Sequence, residues 1–259
     1  MNLTGKVILI TGASGGLGAA TAVELERRGA KLALMARRAD KLAQVAGPAA
    51  LRIPGDVTIE ADRQRAIDTT INHYGRLNAL INNAGAGAYG YTPSLPQEAI
   101  EGVIKLNLEA VIRLTQLAVP HLKKSRGSLV NIGSIAGYLP LPWFTAYTAT
   151  KFAVLGFTEA SRIELKPDGI HVMLVAPGYV KTNFQDNAMG SRPPDRIWRM
   201  KTFATDPEAV ARAVANGLER RKKRVTVPRI GSIALWRNVL PGPIDAILEY
   251  LYKGYRTPS

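Results

Sequence analysis

Cysteine is absent from this 259-residue chain, which excludes disulfides, thiolate metal sites and thiol nucleophiles. Histidine is nearly absent. His73, His121 and His171 are scattered, and no spacing among them suggests a metal site. His73 and His121 fall near expected helix C-termini, where positive charge is welcome, and carry no assigned catalytic role. Long hydrophobic runs are missing as well. Met1 to Lys6 leads into a short apolar stretch without the length or small-residue cleavage site of a secretory signal. Residues 127–150 carry no charge, but Ser, Asn, Gly and Pro interrupt them too often for a membrane span. Acidic residues are scarce, with 20 Asp and Glu against 34 Lys and Arg and a net charge of +14. From Arg192 to the end, 14 basic residues face 6 acidic ones. Such a field favours anionic partners, whether a phosphorylated ligand, anionic lipid or nucleic acid. The lack of cysteine is compatible with a reducing cytoplasm, the expected location, with a peripheral position at a membrane surface as a second setting.

The chain is 46% hydrophobic and 21% charged, enough to bury one sizeable core. Short apolar, β-branched runs alternate with helical patterns. Strands are predicted at Val7–Ile10, Lys31–Ala36, Ala50–Ile53, Leu77–Ile81, Ser128–Ile132, His171–Ala176 and Val225–Val227. Helices are predicted at Leu17–Arg28, Glu60–Tyr74, Pro96–Lys123, Phe144–Leu165 and Pro207–Arg221. Strands with near-continuous apolar runs need helices on both faces. The expected fold is therefore α/β: a single Rossmann-type, doubly wound parallel sheet of about seven strands. Residues 1–228 are read as this domain, with a polar lid at about 182–205. Residues 229–259 are read as an apolar and basic tail, packed on the domain, a sister subunit or a membrane surface.

Thr11-Gly12-Ala13-Ser14-Gly15-Gly16-Leu17-Gly18 joins the first strand to the first helix. Glycines there permit positive φ and close approach to a pyrophosphate, and the helix N-terminus presents free N–H groups. The spacing is G-x-x-x-G-x-G rather than the common dinucleotide pattern, and a merely tight strand-to-helix turn uses the same glycines. The second strand ends at Ala36, with Arg37 and Arg38 next. An acidic residue there would favour a free ribose 2′-hydroxyl, whereas arginine suits a 2′-phosphate. The chain is therefore expected to prefer NADP(H), with NAD(H) as the alternative and one of the two arginines in a solvated turn. Tyr147 and Lys151 lie four residues apart on a predicted helix and so share a face. A neighbouring ammonium lowers a phenol's pKa, which prepares the pair to exchange a proton with substrate oxygen. The Ser134 hydroxyl, after the fifth strand, could orient the same oxygen.

Taken in order, these motifs resemble the short-chain dehydrogenase/reductases over roughly residues 4 to 228. The set comprises Thr11 to Gly18, Asp56-Val57, Asn82-Asn83-Ala84-Gly85, Asn107, Ser134, Tyr147 with Lys151, and Pro177-Gly178 with Thr182. The resemblance implies that Tyr147 is general acid in reduction and general base in oxidation. It implies that Lys151 lowers the pKa of Tyr147 and binds the nicotinamide ribose. Ser134 would polarise the carbonyl, and Asn107 would hold a water linking Lys151 to solvent. Gly12, Ser14, Gly16, Leu17 and Gly18 would take the pyrophosphate, with Arg37 and Arg38 at the 2′-phosphate. Asp56 and Val57 would contact adenine. Asn83, Ala84 and Gly85 would line the groove, and Pro177, Gly178, Val180 and Thr182 would fix the carboxamide.

The segment from Ile135 to Phe144 is almost free of polar groups. Ile135, Leu141, Trp143 and Tyr179 are the expected substrate wall, pointing to a small lipophilic ketone, aldehyde or secondary alcohol; core or subunit contact would explain the same residues. A homodimer or homotetramer through the two long helices is implied by the resemblance. The run Arg220-Arg221-Lys222-Lys223-Arg224 beside the tail suggests peripheral contact with an anionic membrane. An NAD(P)-dependent alcohol dehydrogenase working toward oxidation is the alternative enzyme. A nucleic-acid-binding protein lacks a motif here, and a non-catalytic dinucleotide sensor would need no proton donor.

Overall fold

The computed structural model describes residues 2–191, 204–228 and 241–252. Seven strands form one wholly parallel sheet: β1 (Val7–Thr11), β2 (Lys31–Ala36), β3 (Leu51–Pro54), β4 (Ala79–Asn82), β6 (Ser128–Ile132), β7 (His171–Pro177) and β9 (Arg224–Val227). Their order is β3-β2-β1-β4-β6-β7-β9. The chain winds outward from β1 in one direction and then from β4 in the other. A cleft opens where the crossovers part, beyond the carboxyl ends of β1 and β4.

Alternate side chains of each strand feed two cores. Ile8, Ile10, Leu32 and Leu34 pack under α1 (Gly16–Arg27) and α7 (Pro207–Glu219), against Leu25, Val214 and Leu218. Leu9, Leu80, Leu129 and Val172 face the other way, onto α3 (Glu60–Tyr74) and α5 (Ala110–Ser125), against Ile67, Leu114 and Leu122. Every residue of β1, β4 and β7 is buried, which is why these strands read as continuous apolar runs. Two further strands lie outside the sheet. β5 (Ala88–Tyr89) and β8 (Met189–Gly190) pair in parallel and tie the start of the expected lid to the segment after β4.

One expected helix differs in kind. Residues 96–123 are not a single α-helix: α4 (Gln97–Ile104) and α5 are separated by one π turn over Lys105–Glu109. The turn shifts the helical phase at Asn107, whose amide donates to the Ala86 carbonyl at 2.9 Å and accepts from the Ala86 N–H at 2.9 Å. Periodicity alone does not reveal such a bulge, because the apolar pattern resumes after it.

The basic run lies at the amino edge of the sheet. Arg220 to Lys223 connect α7 to the amino end of β9 and are exposed. β9 ends at the carboxyl edge, where the Val227 carbonyl accepts the Gly178 N–H at 2.7 Å. Of the tail, the structure describes α8 (Pro241–Tyr252). Residues 229–240 and 253–259, and lid residues 192–203, lie outside the described residues. No described helix is long and apolar enough to cross a membrane.

Candidate active site

Residues from the carboxyl ends of β1, β2, β4, β6 and β7 line one cleft, with a cavity volume of about 1270 Å³. At one end the loop after β1 turns sharply into α1. Gly12 and Gly16 have φ of 65° and 53°, in the left-handed region glycine adopts without penalty. A Cβ on Gly18 would stand 2.3 Å from the Gly12 carbonyl oxygen, and one on Gly12 would stand 2.8 Å from the Ala84 Cα. No side chain caps α1 and no acid occupies its first turn, so its free N–H groups and positive dipole end face the cleft. These features suit the pyrophosphate of a dinucleotide. Asn83 holds this loop to β4: its amide donates to the carbonyls of Thr11 at 2.9 Å and Gly12 at 3.2 Å.

Around this end stand Ser14, Leu17, Arg37, Arg38, Lys41, Asp56 and Val57. The Arg38 guanidinium donates to the Ser14 hydroxyl at 3.3 Å. Arg37 extends into solvent, with its side chain 76% exposed and 3.9 Å from Asp56. Ala36, at the end of β2, leaves no carboxylate at the strand terminus. Lys41, on α2 (Ala39–Ala43), is a third cation here that sequence reasoning passed over.

At the other end α6 (Thr145–Glu164) presents Tyr147 and Lys151 side by side, as the four-residue spacing predicts. The Lys151 Nζ lies 5.6 Å from the Tyr147 ring centroid and donates to the Ile132 carbonyl at 3.0 Å. Ser134, just beyond β6, hydrogen-bonds the phenol, and its oxygen also accepts the Ala136 N–H at 3.1 Å. Asn107 is 1% exposed and lies behind Gly85 rather than in the cavity wall. Its amide also donates to the Thr150 hydroxyl at 3.2 Å, which in turn donates to the Tyr147 carbonyl at 2.7 Å. Ala84, Gly85, Pro177, Gly178, Val180 and Thr182 complete the cleft between its ends.

The electrostatics correct one expectation. Tyr147 is not made more acidic. Burial pushes its pKa from 10.0 up to about 12, with the Ser134 hydrogen bond opposing and Tyr179 adding to the rise. Burial also draws Lys151 down from 10.5 to about 8. Both groups are 6% exposed, and desolvation of the charged form is the largest cause of each shift. At neutral pH the phenol is protonated and most of the lysine is charged.

The substrate wall also needs correction. Ile135, Leu141 and Tyr179 line the cavity, but Trp143 does not. Trp143 has a φ of 64°, which turns its ring toward Tyr91, with centroids 6.2 Å apart. The next residue, Phe144, enters instead, together with Tyr89 from β5 and Phe184 from the lid. Tyr89, four positions beyond the NNAG segment, carried no periodic signal, and the lid was read only as polar. Among the described residues no cluster of His, Asp or Glu could hold a metal ion.

Residues 6–192 match the family model described as short chain dehydrogenase. An Arabidopsis thaliana protein described as 11-beta-hydroxysteroid dehydrogenase-like 2 is 35% identical over 268 residues, covering 99% of this chain and 85% of that protein. A short chain dehydrogenase from Burkholderia cenocepacia, solved in complex with NADP, shares 27% identity with a TM-score of 0.82, over 96% of this chain and 99% of that one. A 3-ketoacyl-(acyl-carrier-protein) reductase from Brucella melitensis, solved with NADH, shares 28% identity with a TM-score of 0.79, over 87% and 97% of the two chains. With its parallel sheet, glycine loop and paired tyrosine and lysine, this chain belongs to the short-chain dehydrogenase/reductase family of oxidoreductases.

Proposed function

We propose that the protein is an NADP(H)-dependent carbonyl reductase acting on a small lipophilic ketone or aldehyde. The observation that carries this reading is the polarity of the single cleft. Arg37, Arg38 and Lys41 stand at one end without a strand-terminal carboxylate, and Tyr147, Ser134 and Lys151 stand at the other. When bound, the nicotinamide supplies or accepts the hydride. The glycine loop, Asp56 and Val57 would hold its dinucleotide, and the arginines would take the 2′-phosphate, for which a planar guanidinium is well suited.

The chain's own part of the reaction is proton management. A phenol with a pKa near 12 keeps its proton at neutral pH and can donate it as charge develops on a carbonyl oxygen. The Ser134 hydroxyl, bonded to the same phenol, would orient that oxygen. A charged Lys151 ammonium 5.6 Å from the Tyr147 ring centroid stabilises the phenolate left after transfer. With its proton in place at neutral pH, the phenol is ready for the reductive step, and the cofactor ratio sets the net direction. Leu141, Phe144, Phe184 and Tyr89 give the wall around the phenol an apolar, aromatic surface, which excludes water and disfavours charged substrates. The relatives described as hydroxysteroid dehydrogenases support the lipophilic assignment. Assembly as a homodimer or homotetramer through the long helices is part of the proposal. Phe152 and Ile163, three turns apart on α6, are 36% and 77% exposed.

The test is turnover of cortisone, 2-decanone and acetophenone, followed by nicotinamide absorbance with NADPH and NADH in parallel. NADPH is expected to give the lower KM, and Tyr147→Phe to abolish turnover. Arg37→Ala with Arg38→Ala should erase the preference. Full activity in Tyr147→Phe would overturn the proton route. Equal binding of NADH and NADPH by the wild type would overturn the cofactor assignment.

A further inference from the structure

Phe144 does more than line the substrate wall. It ends the loop before α6 and is 6% exposed. Its ring is stacked on Tyr89, with centroids 4.1 Å apart and planes at 10°. It is also stacked on Tyr147, at 4.3 Å and 26°. Phe184 meets the Tyr147 ring edge-on at 5.7 Å. The phenol that would donate the proton is therefore one member of a ladder of rings drawn from β5, the pre-helix loop, α6 and the lid.

Two backbone features build the ladder. Gly87 lies under Phe144: a Cβ there would stand 3.0 Å from two ring carbons, Cε2 and Cζ. Trp143 adopts a left-handed φ of 64°, a conformation unusual for a bulky residue, and its carbonyl accepts the Gly90 N–H at 2.9 Å. That turn directs Trp143 toward Tyr91 and Phe144 toward Tyr147. Rotation of a tyrosine about χ1 carries its hydroxyl along a wide arc. A ring lying on the face of the tyrosine obstructs that swing without touching the hydroxyl.

We infer that Phe144 is a positioning residue for the reaction: supported by Tyr89 and seated over the bare backbone of Gly87, it holds the Tyr147 ring so that its hydroxyl stays beside Ser134. The inference rests on Tyr147 being the proton donor. Offset aromatic pairs contribute beyond their buried area by an amount equivalent to about two- to tenfold. Phe144→Leu keeps an apolar side chain but removes the ring. It is expected to lower kcat about two- to tenfold while leaving the KM for NADPH unchanged. Phe144→Tyr keeps the ring and should recover most of the kcat lost in Phe144→Leu. Phe144→Ala should lower kcat and also admit water, moving the alkaline limb of the pH profile downward, a change that Phe144→Leu should not produce. Gly87→Ala, which adds a methyl under the ring, should act like Phe144→Leu, and the double variant should be no worse than either single one.

The assay uses NADPH with whichever of cortisone, 2-decanone and acetophenone the wild type reduces fastest. A second readout needs no substrate: the near-ultraviolet circular dichroism lost on Tyr147→Phe reports an ordered ring. That difference signal should shrink in the Phe144→Leu background and persist in Phe144→Tyr. If Tyr147→Phe keeps full turnover, the proton-donor reading fails. If Tyr147→Phe is inactive while Phe144→Leu matches wild type in kcat and in the difference spectrum, the positioning role alone is overturned.

Discussion

Replacing Lys151 with methionine should make the protein more stable at neutral pH and catalytically inert. The ammonium is 6% exposed, and burial lowers its pKa from 10.5 to about 8. At 1.36 kcal/mol per unit, holding that charge in the folded state costs about 3 kcal/mol. Methionine has similar length and no charge. Against the gain stands the Ile132 carbonyl, which accepts from Nζ at 3.0 Å; leaving it unpaired costs about 1–3 kcal/mol. The net expectation at pH 7 is a stabilisation of about 1 kcal/mol. The pH dependence is the sharper test. Because the folded pKa is depressed, the unfolded chain binds one more proton between about pH 8 and 10.5. The lysine's contribution therefore grows as pH rises through that window and is lost as pH falls through 8. From pH 7 to pH 9 it amounts to about 1 kcal/mol. Tyr147 has the opposite sign: its pKa is raised in the folded state, so stability falls as pH rises from 10 toward 12, and the comparison should stop at pH 9. Urea unfolding of wild type and Lys151→Met at both pH values measures the effect, since other titrating groups cancel in the difference. Parallel curves for the two proteins would refute the reasoning.

Three more outcomes follow from particular contacts. Gly18→Ala places a Cβ 2.3 Å from the Gly12 carbonyl oxygen and 2.5 Å from the Asn83 amide nitrogen; dinucleotide affinity, read by quenching of protein fluorescence, should fall at least tenfold, about 1.4 kcal/mol. Asn107→Ala removes the paired bonds to Ala86 and the bond to Thr150, and urea unfolding should show a loss of about 2–3 kcal/mol. Glu24 bonds both Arg27 and Arg28, and these hydrogen bonds hold its carboxyl below the usual range. The stability it contributes is present above the unfolded pKa near 4.5 and lost as pH falls through the folded value, so Glu24→Gln should be less stable at pH 7 and show a shallower acid-unfolding slope.

Much of this molecule is written in short-range pattern. The all-apolar strands, the glycine turn into α1, the four-residue step from Tyr147 to Lys151 and the ordered motifs after each strand depend on neighbours along the chain, so one sequence was enough to expect a doubly wound sheet with this pair at its carboxyl edge. Other features depend on segments remote in sequence. The π turn at Asn107 arises because its amide must meet Ala86, 21 residues away. Phe144 rather than Trp143 faces the cavity because the backbone turns left-handed between loops joined through Gly90. The acidity of Tyr147 runs opposite to the sequence expectation because spacing reports a cation nearby but not how much water both groups lose. Which groups are neighbours along a helix is a local property; how deeply they are buried, and against which rings, is decided only when distant loops close over them.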